Sequence, residues 1–345
     1  MGPSTTKQML IDRVDADKDQ LITFLRGFLR AKSPNPPGDT REATSYITDY
    51  LDGKGVEYQV VGPDPEKPNI VSTFQSPVEG KKLILNGHID VFPVGSGEGW
   101  SQEAWGGELV DGKIYGRGAC DMKAGTTASI YTYLVLHELR EQLKGSVTLT
   151  AVSDEETGGR LGAGWLIENV PETLGDCCIN GEPSSPYTIR FGEKGILWLK
   201  MRVKSKGGHG AYPHLSVNPI KIASKIITEL ESLNEIPVPY PENLRKAIDE
   251  GHDAAEKALG EGGAEIMSRL SVNIGTIEGG LKVNVIPRAC SFEVDLRLPP
   301  GLSKDDVLPK VEEIVSKYEG ASVEVTRYDG PLWSPPDSEM ASIMR

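Results

Sequence analysis

This chain is short of histidine, cysteine and long apolar stretches, and each shortage narrows what it does. Five histidines occur in 345 residues, so imidazole chemistry rests on few side chains. The four cysteines are Cys120, Cys177, Cys178 and Cys290, too few for a disulfide scaffold. Two of them are adjacent inside an apolar strand-like run, a poor geometry for a bridge, so reduced thiols in a cytoplasmic protein are expected. No apolar run approaches the roughly 18 residues of a membrane span, and MGPSTTKQMLIDRVDADKDQ lacks the apolar centre of a secretion signal. No basic run exceeds two residues and the net charge is −13. Nucleic acid and membrane are therefore not expected as partners.

What is present is a globular composition, 38% hydrophobic and 25% charged, long enough for one large or two ordinary domains. Leu21, Phe24, Leu25, Phe28 and Leu29 recur at helical spacing over 18–31 and stop at Ser33-Pro34-Asn35-Pro36-Pro37-Gly38. A second helix is expected over 41–52. Strand-like runs at 56–61, 69–74, 82–86, 147–152 and 177–180 alternate with helices over 123–139 and 159–169. That order predicts a mostly parallel sheet flanked by helices. From Gly195 the order changes to strand (196–204), helix (217–233), strand (270–278), strand (283–298), helix (303–318) and strand (321–327). This is the β-α-β-β-α-β order of a ferredoxin-like domain, over 197–328. An insertion fills 236–267, and its stretch from Glu242 to Leu259 is acidic and helix-prone.

Acidic residues and one histidine sit at the ends of separate strands. His88 and Asp90 lie in Asn86-Gly87-His88-Ile89-Asp90, Asp121 follows Gly116-Arg117-Gly118-Ala119-Cys120, Glu155-Glu156 follows the 147–152 strand, and Glu182 follows Asn180-Gly181. Each is weak evidence alone. His-x-Asp also fits a buried histidine beside a surface aspartate, Asp121 also fits a helix N-cap, and Glu155-Glu156 also fits a solvated turn. Together they form a constellation suited to divalent metal. The adjacent glutamates repel unless a cation is near, and they allow one to bind metal while the other acts as base. Asp90 is placed to orient the His88 ring. His209 lies in Gly207-Gly208-His209-Gly210, where it suits oxyanion stabilisation or is a polar loop histidine. Asn284 and Arg297 suit a substrate carboxylate, although a strand arginine is often only a surface residue.

The segments NGHIDVFP, DGKIYGRGACDMKAG, SDEETGG, GEPSS, GGHGAYPHLSVNP and NVIPRACSFEVDLRLPPG span about 86–301. They resemble the M20 metallopeptidases, which include acetylornithine deacetylase, succinyl-diaminopimelate desuccinylase, aminoacylase-1 and carboxypeptidase G2. GEPSS and GHGAYPHLSVNP look most like the deacetylase/desuccinylase branch. The resemblance implies a zinc-peptidase-like catalytic domain, begun by residues 1–196, and an inserted lid and dimerisation domain over 197–328. Residues 329–345 would then start the return to the catalytic domain.

The resemblance also implies two zinc ions per subunit, with cobalt as a substitute. Asp121 would bridge them, His88 and Glu182 would hold one, and Glu156 would hold the other with a histidine near the C-terminus. Glu155 would be the general base, with Asp90 and His209 as further catalytic residues and His209 serving a partner subunit in a homodimer. The Asp121-Met122 peptide is expected to be cis. The implied reaction is hydrolysis of an N-acyl amino acid, with a dipeptidase or carboxypeptidase, or an inactive dimerising metal-binding homologue, as alternatives. No histidine follows His252, so either this chain stops short of the closing part of the catalytic domain and its final ligand, or the protein has lost that ligand.

Overall fold

Strands rich in β-branched residues bury one or both faces, and here they assemble two main sheets and three two-stranded ones. The computed structural model describes residues 3–185 and 187–344, which divide into two compact units, Met1–Pro183 and Ser184–Arg345.

The first unit opens with helices α1 (Pro3–Ala16), α2 (Lys18–Arg30) and α3 (Arg41–Gly53). The apolar spacing of α2 buries Phe24, Phe28 and Leu29. Phe24 meets Tyr46 and Tyr50 of α3 at ring-centroid distances of 5.2 and 4.4 Å, so the two helices join through an aromatic cluster. Strands β1 (Gln59–Val61), β2 (Asn69–Gln75) and β3 (Val78–His88) follow, then a hairpin of β4 (Glu108–Val110) and β5 (Lys113–Tyr115). After it come α4 (Lys123–Glu138), β6 (Lys144–Val152), α5 (Trp165–Asn169) and β7 (Cys177–Asn180). The sheet order is β1-β2-β6-β3-β7. β3 runs parallel to both neighbours, β6 and β7, while β1 and β2 join antiparallel on the far side of β6. His88 pairs with Val152 and Asn86 with Asn180. Three carboxyl ends therefore finish at one edge of the sheet, where α/β folds place their ligands.

Two local expectations change here. The reading of 159–169 as one helix gives way to a π-type turn over 160–164, non-helical at Gly162, before α5. A Cβ on Gly162 would stand 1.8 Å from the Ser153 carbonyl oxygen, so the chain passes too closely there for a regular helix. Helix α1 has mixed polar composition and no clean apolar period, and was not expected.

The second unit contains β8 (Gly192–Glu193), β9 (Gly195–Lys204), β10 (Gly208–His209), α6 (Pro219–Leu230), α7 (Glu242–Glu250), α8 (His252–Leu259) and α9 (Gly263–Ser268). It continues with β11 (Ser271–Gly279), β12 (Val285–Ile286), β13 (Ala289–Leu298), α10 (Lys304–Ser316), β14 (Ala321–Asp329), β15 (Leu332–Trp333) and α11 (Glu339–Met344). Its main sheet is β11-β13-β9-β14, antiparallel throughout. Alternation along β9 buries Leu197, Leu199, Met201 and Val203 beside Leu296, Val294, Phe292 and Cys290 of β13. α6 and α10 cover that face with Ala223, Ile226, Val307 and Val311. This is the expected ferredoxin-like order. The expected strand over 283–298 divides in two, because Pro287 lacks an N–H for the ladder and β12 turns away to pair with β10. The insertion folds as α7–α9, and the Glu256 carboxylate caps α9 by accepting from the Gly262 and Ala264 amides at 2.9 and 2.7 Å. No helix among the described residues is long and apolar enough to cross a membrane.

Candidate metal centre

β3 ends on His88, whose ring is 1% exposed. Its Nδ1 stands 2.8 Å from the Asp90 carbonyl oxygen. That contact assigns the neutral ring's proton to Nδ1 and turns the Nε2 lone pair outward. Nε2 faces Asp121 Oδ1 and Glu182 Oε1, each at 3.1 Å, with Glu155 Oε2 at 3.8 Å. The donor atoms of His88, Asp121 and Glu182 all lie within 4.8 Å of one another. Three electron-rich atoms meeting in this way need a cation or a proton among them. Ligands about 2.0–2.1 Å from a tetrahedral zinc stand roughly 3.3 Å apart, close to the observed 3.1 Å. The donor set therefore fits a divalent metal.

Without a metal, a proton fills the gap. Burial disfavours the His88 imidazolium, but hydrogen bonds to Asp121, Asp90 and Glu182 outweigh it and push the imidazole up to about 12. Asp121 is held below the usual carboxylate range by its hydrogen bond with His88, against the opposing effect of burial.

Each of the three side chains is set by its own local device. Thr126 Oγ1 of α4 donates to the His88 carbonyl at 2.7 Å. Asp121 immediately precedes α4, and the Asp121–Met122 peptide is cis. Glu182 is aligned by a relay in which Asn180 Nδ2 donates to Asn86 Oδ1 at 2.8 Å while the Glu182 amide donates to Asn180 Oδ1 at 2.7 Å. The approach of α4 to this segment is backbone on backbone, since a Cβ on Gly125 would lie 1.9 Å from the Gly181 oxygen.

Asp90 is fully buried. Its carboxylate accepts the Glu155 and Glu156 amides at 3.2 and 3.1 Å and Asn35 Nδ2 at 2.8 Å. Burial works to raise it, but bonds with His88 and Asn35 hold it below the ordinary range. The turn it grips carries two raised carboxyls. Burial pushes Glu155 up to about 7, opposed by His88 and reinforced by the charges of Glu182, Glu156 and Asp90. Burial and then the Asp121 charge raise Glu156. A carboxyl near 7 is poised to exchange a proton at neutral pH.

In the second unit, the Ala211 amide donates to His209 Nδ1 at 3.1 Å, which assigns the neutral ring's proton to Nε2. Asn284 lies beside it, its carbonyl accepting the Gly210 amide at 2.8 Å. Arg297 Nε is 2.9 Å from Asp295 Oδ1 on the same strand, and that aspartate also accepts Trp198 Nε1 at 3.0 Å.

The structure also places Asn35, Lys67 and Asp154 around the Glu155–Glu156 turn, contacts that sequence reasoning missed. Asn35 lay inside a helix-stopping Pro-rich segment, and Asp154 directly precedes the two glutamates.

Residues 191–322 match the peptidase dimerisation domain of the M20 family. The succinyl-diaminopimelate desuccinylase of Gluconacetobacter diazotrophicus is 29% identical over 286 residues, covering 80% of this chain and 66% of that protein. This chain spans 59–74% of the length of such desuccinylases. Among solved structures, an M20 family metallo-carboxypeptidase from Sulfolobus solfataricus superposes with a TM-score of 0.76 at 20% identity, covering 94% of this chain and 82% of the other. A dinuclear metal-binding M20 peptidase from Bacillus subtilis gives 0.62 at 18% identity, covering 93% and 76%.

Proposed function

From this chain's kinship with the M20 metallopeptidases, we propose that it is a metal-dependent amidohydrolase that cleaves the amide bond of an N-acyl amino acid. The observation that carries the reading is the convergence of Asp121 and Glu182 on the outward Nε2 of His88, with a carboxyl raised to about 7 beside them. His88, Asp121 and Glu182 would hold one divalent ion, zinc in the family pattern. Glu156 and a bridging Asp121 would contribute to a second. Bound there, such ions acidify water and polarise the scissile carbonyl.

The protein's own groups supply the proton chemistry and the orientation. Glu155 accepts a proton from the attacking water on a carboxylate oxygen and passes it to the departing amine nitrogen. Asp90 keeps Glu155 and Glu156 in register through their amides. His209, with its proton on Nε2, would donate to the developing oxyanion in a partner subunit's site. Arg297 and Asn284 are suited to a substrate carboxylate, with Asp295 competing for the guanidinium. The desuccinylase relatives make N-succinyl and N-acetyl amino acids the first substrates to try. The dimerisation-domain match supports a homodimer.

The experiment pairs hydrolysis of N-acyl amino acids and dipeptides by the metal-loaded protein with metal analysis of Glu155→Gln. Turnover should fall roughly 10²–10⁴-fold while bound metal stays at the wild-type level. Loss of metal from the variant would reassign Glu155 as a ligand. A loaded wild-type protein inert toward every amide tested would refute the reading.

A further inference from the structure

The turn that carries Glu155 and Glu156 is gripped from two sides, and only one grip involves the metal-centre residues. The other comes from Lys67-Pro68-Asn69, at the start of β2. Lys67 Nζ reaches Asp154 Oδ1 at 2.8 Å, with the two side chains 15% and 6% exposed. The Pro68 carbonyl accepts Ser153 Oγ at 2.7 Å. Asn69 accepts the Ser153 amide at 2.8 Å and donates to the Leu161 carbonyl at 2.9 Å. Three consecutive residues therefore cradle both ends of the segment 153–161.

The cradle holds Asp154 at φ 78° and ψ 13°, a left-handed conformation uncommon outside glycine, although aspartate adopts it more readily than most residues. Its carboxylate also accepts Thr157 Oγ1 at 2.6 Å and the Leu161 amide at 3.1 Å. Asn35 links this grip to the other. Its Nδ2 donates to Asp90 Oδ2 at 2.8 Å and to Thr157 Oγ1 at 3.1 Å, while its own Oδ1 is buried with no hydrogen-bond partner. A buried amide that leaves its oxygen unpaired in order to aim its nitrogen at two acceptors is held for that direction. Gly38 leaves room for the arrangement: a Cβ there would stand 2.3 Å from Lys67 Cε and 2.8 Å from Asn35 Oδ1.

We propose that Lys67 and Asn35 are positioning residues, which lock the Glu155–Glu156 turn. Neither touches the metal-centre carboxylates of Asp121 or Glu182. Lys67 acts through Asp154, and Asn35 through Asp90 and Thr157. The catalytic consequence rests on the reading of Glu155 as general base; the mechanical consequence does not.

The test measures hydrogen exchange in the whole chain together with kinetics. In Lys67→Met, Asp154 loses its buried counter-charge, and amide exchange in 153–161 should quicken on the order of 10–10²-fold. Exchange in β3 should stay unchanged. The kcat should fall at least about 10-fold with KM within about 2-fold, and Lys67→Arg should recover most of both. Should Lys67→Met fail to fold, Asn35→Ala tests the second arm, since the Asp90 carboxylate loses one donor but keeps the Glu155 and Glu156 amides, and the same local quickening is expected. Unchanged exchange in 153–161, or quickening spread evenly over the first unit, overturns the proposal. Local quickening in a protein that hydrolyses no amide would sink the proposed function and leave this inference standing.

Discussion

Metal uptake at His88 should release protons, and the amount follows from the site. His88 Nε2 faces two carboxylates at 3.1 Å, and in the metal-free protein its imidazole titrates at about 12. At any pH from 6 to 8 it therefore carries a proton that must leave before Nε2 can bind metal. This contributes one proton per metal and a tenfold gain in affinity per pH unit. Glu155 adds a second, pH-dependent share. With its carboxyl at about 7, it is about 90% protonated at pH 6 and about 10% at pH 8. If the bound cation ionises it fully, total release falls from about 1.9 protons at pH 6 to about 1.1 at pH 8. Integrated across that range, affinity rises about 10³-fold, or about 4 kcal/mol. Calorimetric titration with zinc in buffers of different ionisation enthalpy reads the proton count directly. Glu155→Gln should remove the Glu155 share and bring the counts at the two pH values closer together. Affinity independent of pH, or proton uptake on binding, would refute the assignment of the Nε2 proton.

Gly125→Ala would force α4 away from Gly181, because its Cβ would meet the Gly181 oxygen at 1.9 Å. Overpacking of this kind costs about 1–3 kcal/mol, so thermal melts should drop and zinc affinity weaken by roughly 10–10²-fold; an unaltered melt with unaltered affinity would contradict the close contact. The whole chain should sediment as a dimer, since β11 is an edge strand followed by exposed Leu281 and Val283, at 92% and 101%. A monomer at high micromolar concentration would remove the homodimer from the proposed function.

How far the sequence could be read depended on whether a feature was local. His88 and Glu182 could be grouped from sequence because each ends or follows an apolar run and parallel pairing brings such ends together, whereas Asp121 arrives at the head of α4 and not at the end of a strand of that sheet. The β-α-β-β-α-β order was equally visible in hydrophobic alternation, as along Leu197, Leu199, Met201 and Val203. The break at Pro287 had a local signal, the missing N–H, which the continuous run 283–298 obscured. The antiparallel entry of β2 had none, because strand direction is set by pairing partners and leaves no trace in periodicity. The cradle around Asp154 was hidden for a related reason. Lys67 and Asp154 are 87 residues apart and Asn35 and Thr157 are 122 apart, and in sequence each reads as an ordinary loop residue.

The shared edge of β3, β6 and β7 also sets a clock on synthesis. His88 emerges with β3, but the strand that carries Glu182 into place is made 94 residues later, from 88 to 182. At roughly 5–20 residues per second, that is a wait of roughly 5–20 s. During it the histidine and Asp90 are made without the carboxylate that completes their cluster. A nascent chain in that interval has no complete pocket in which to trap a passing cation. Were a metal bound there, its site would be complete only after residue 182, and a ribosome stalled before that point would hold a chain with His88 and Asp121 but without Glu182.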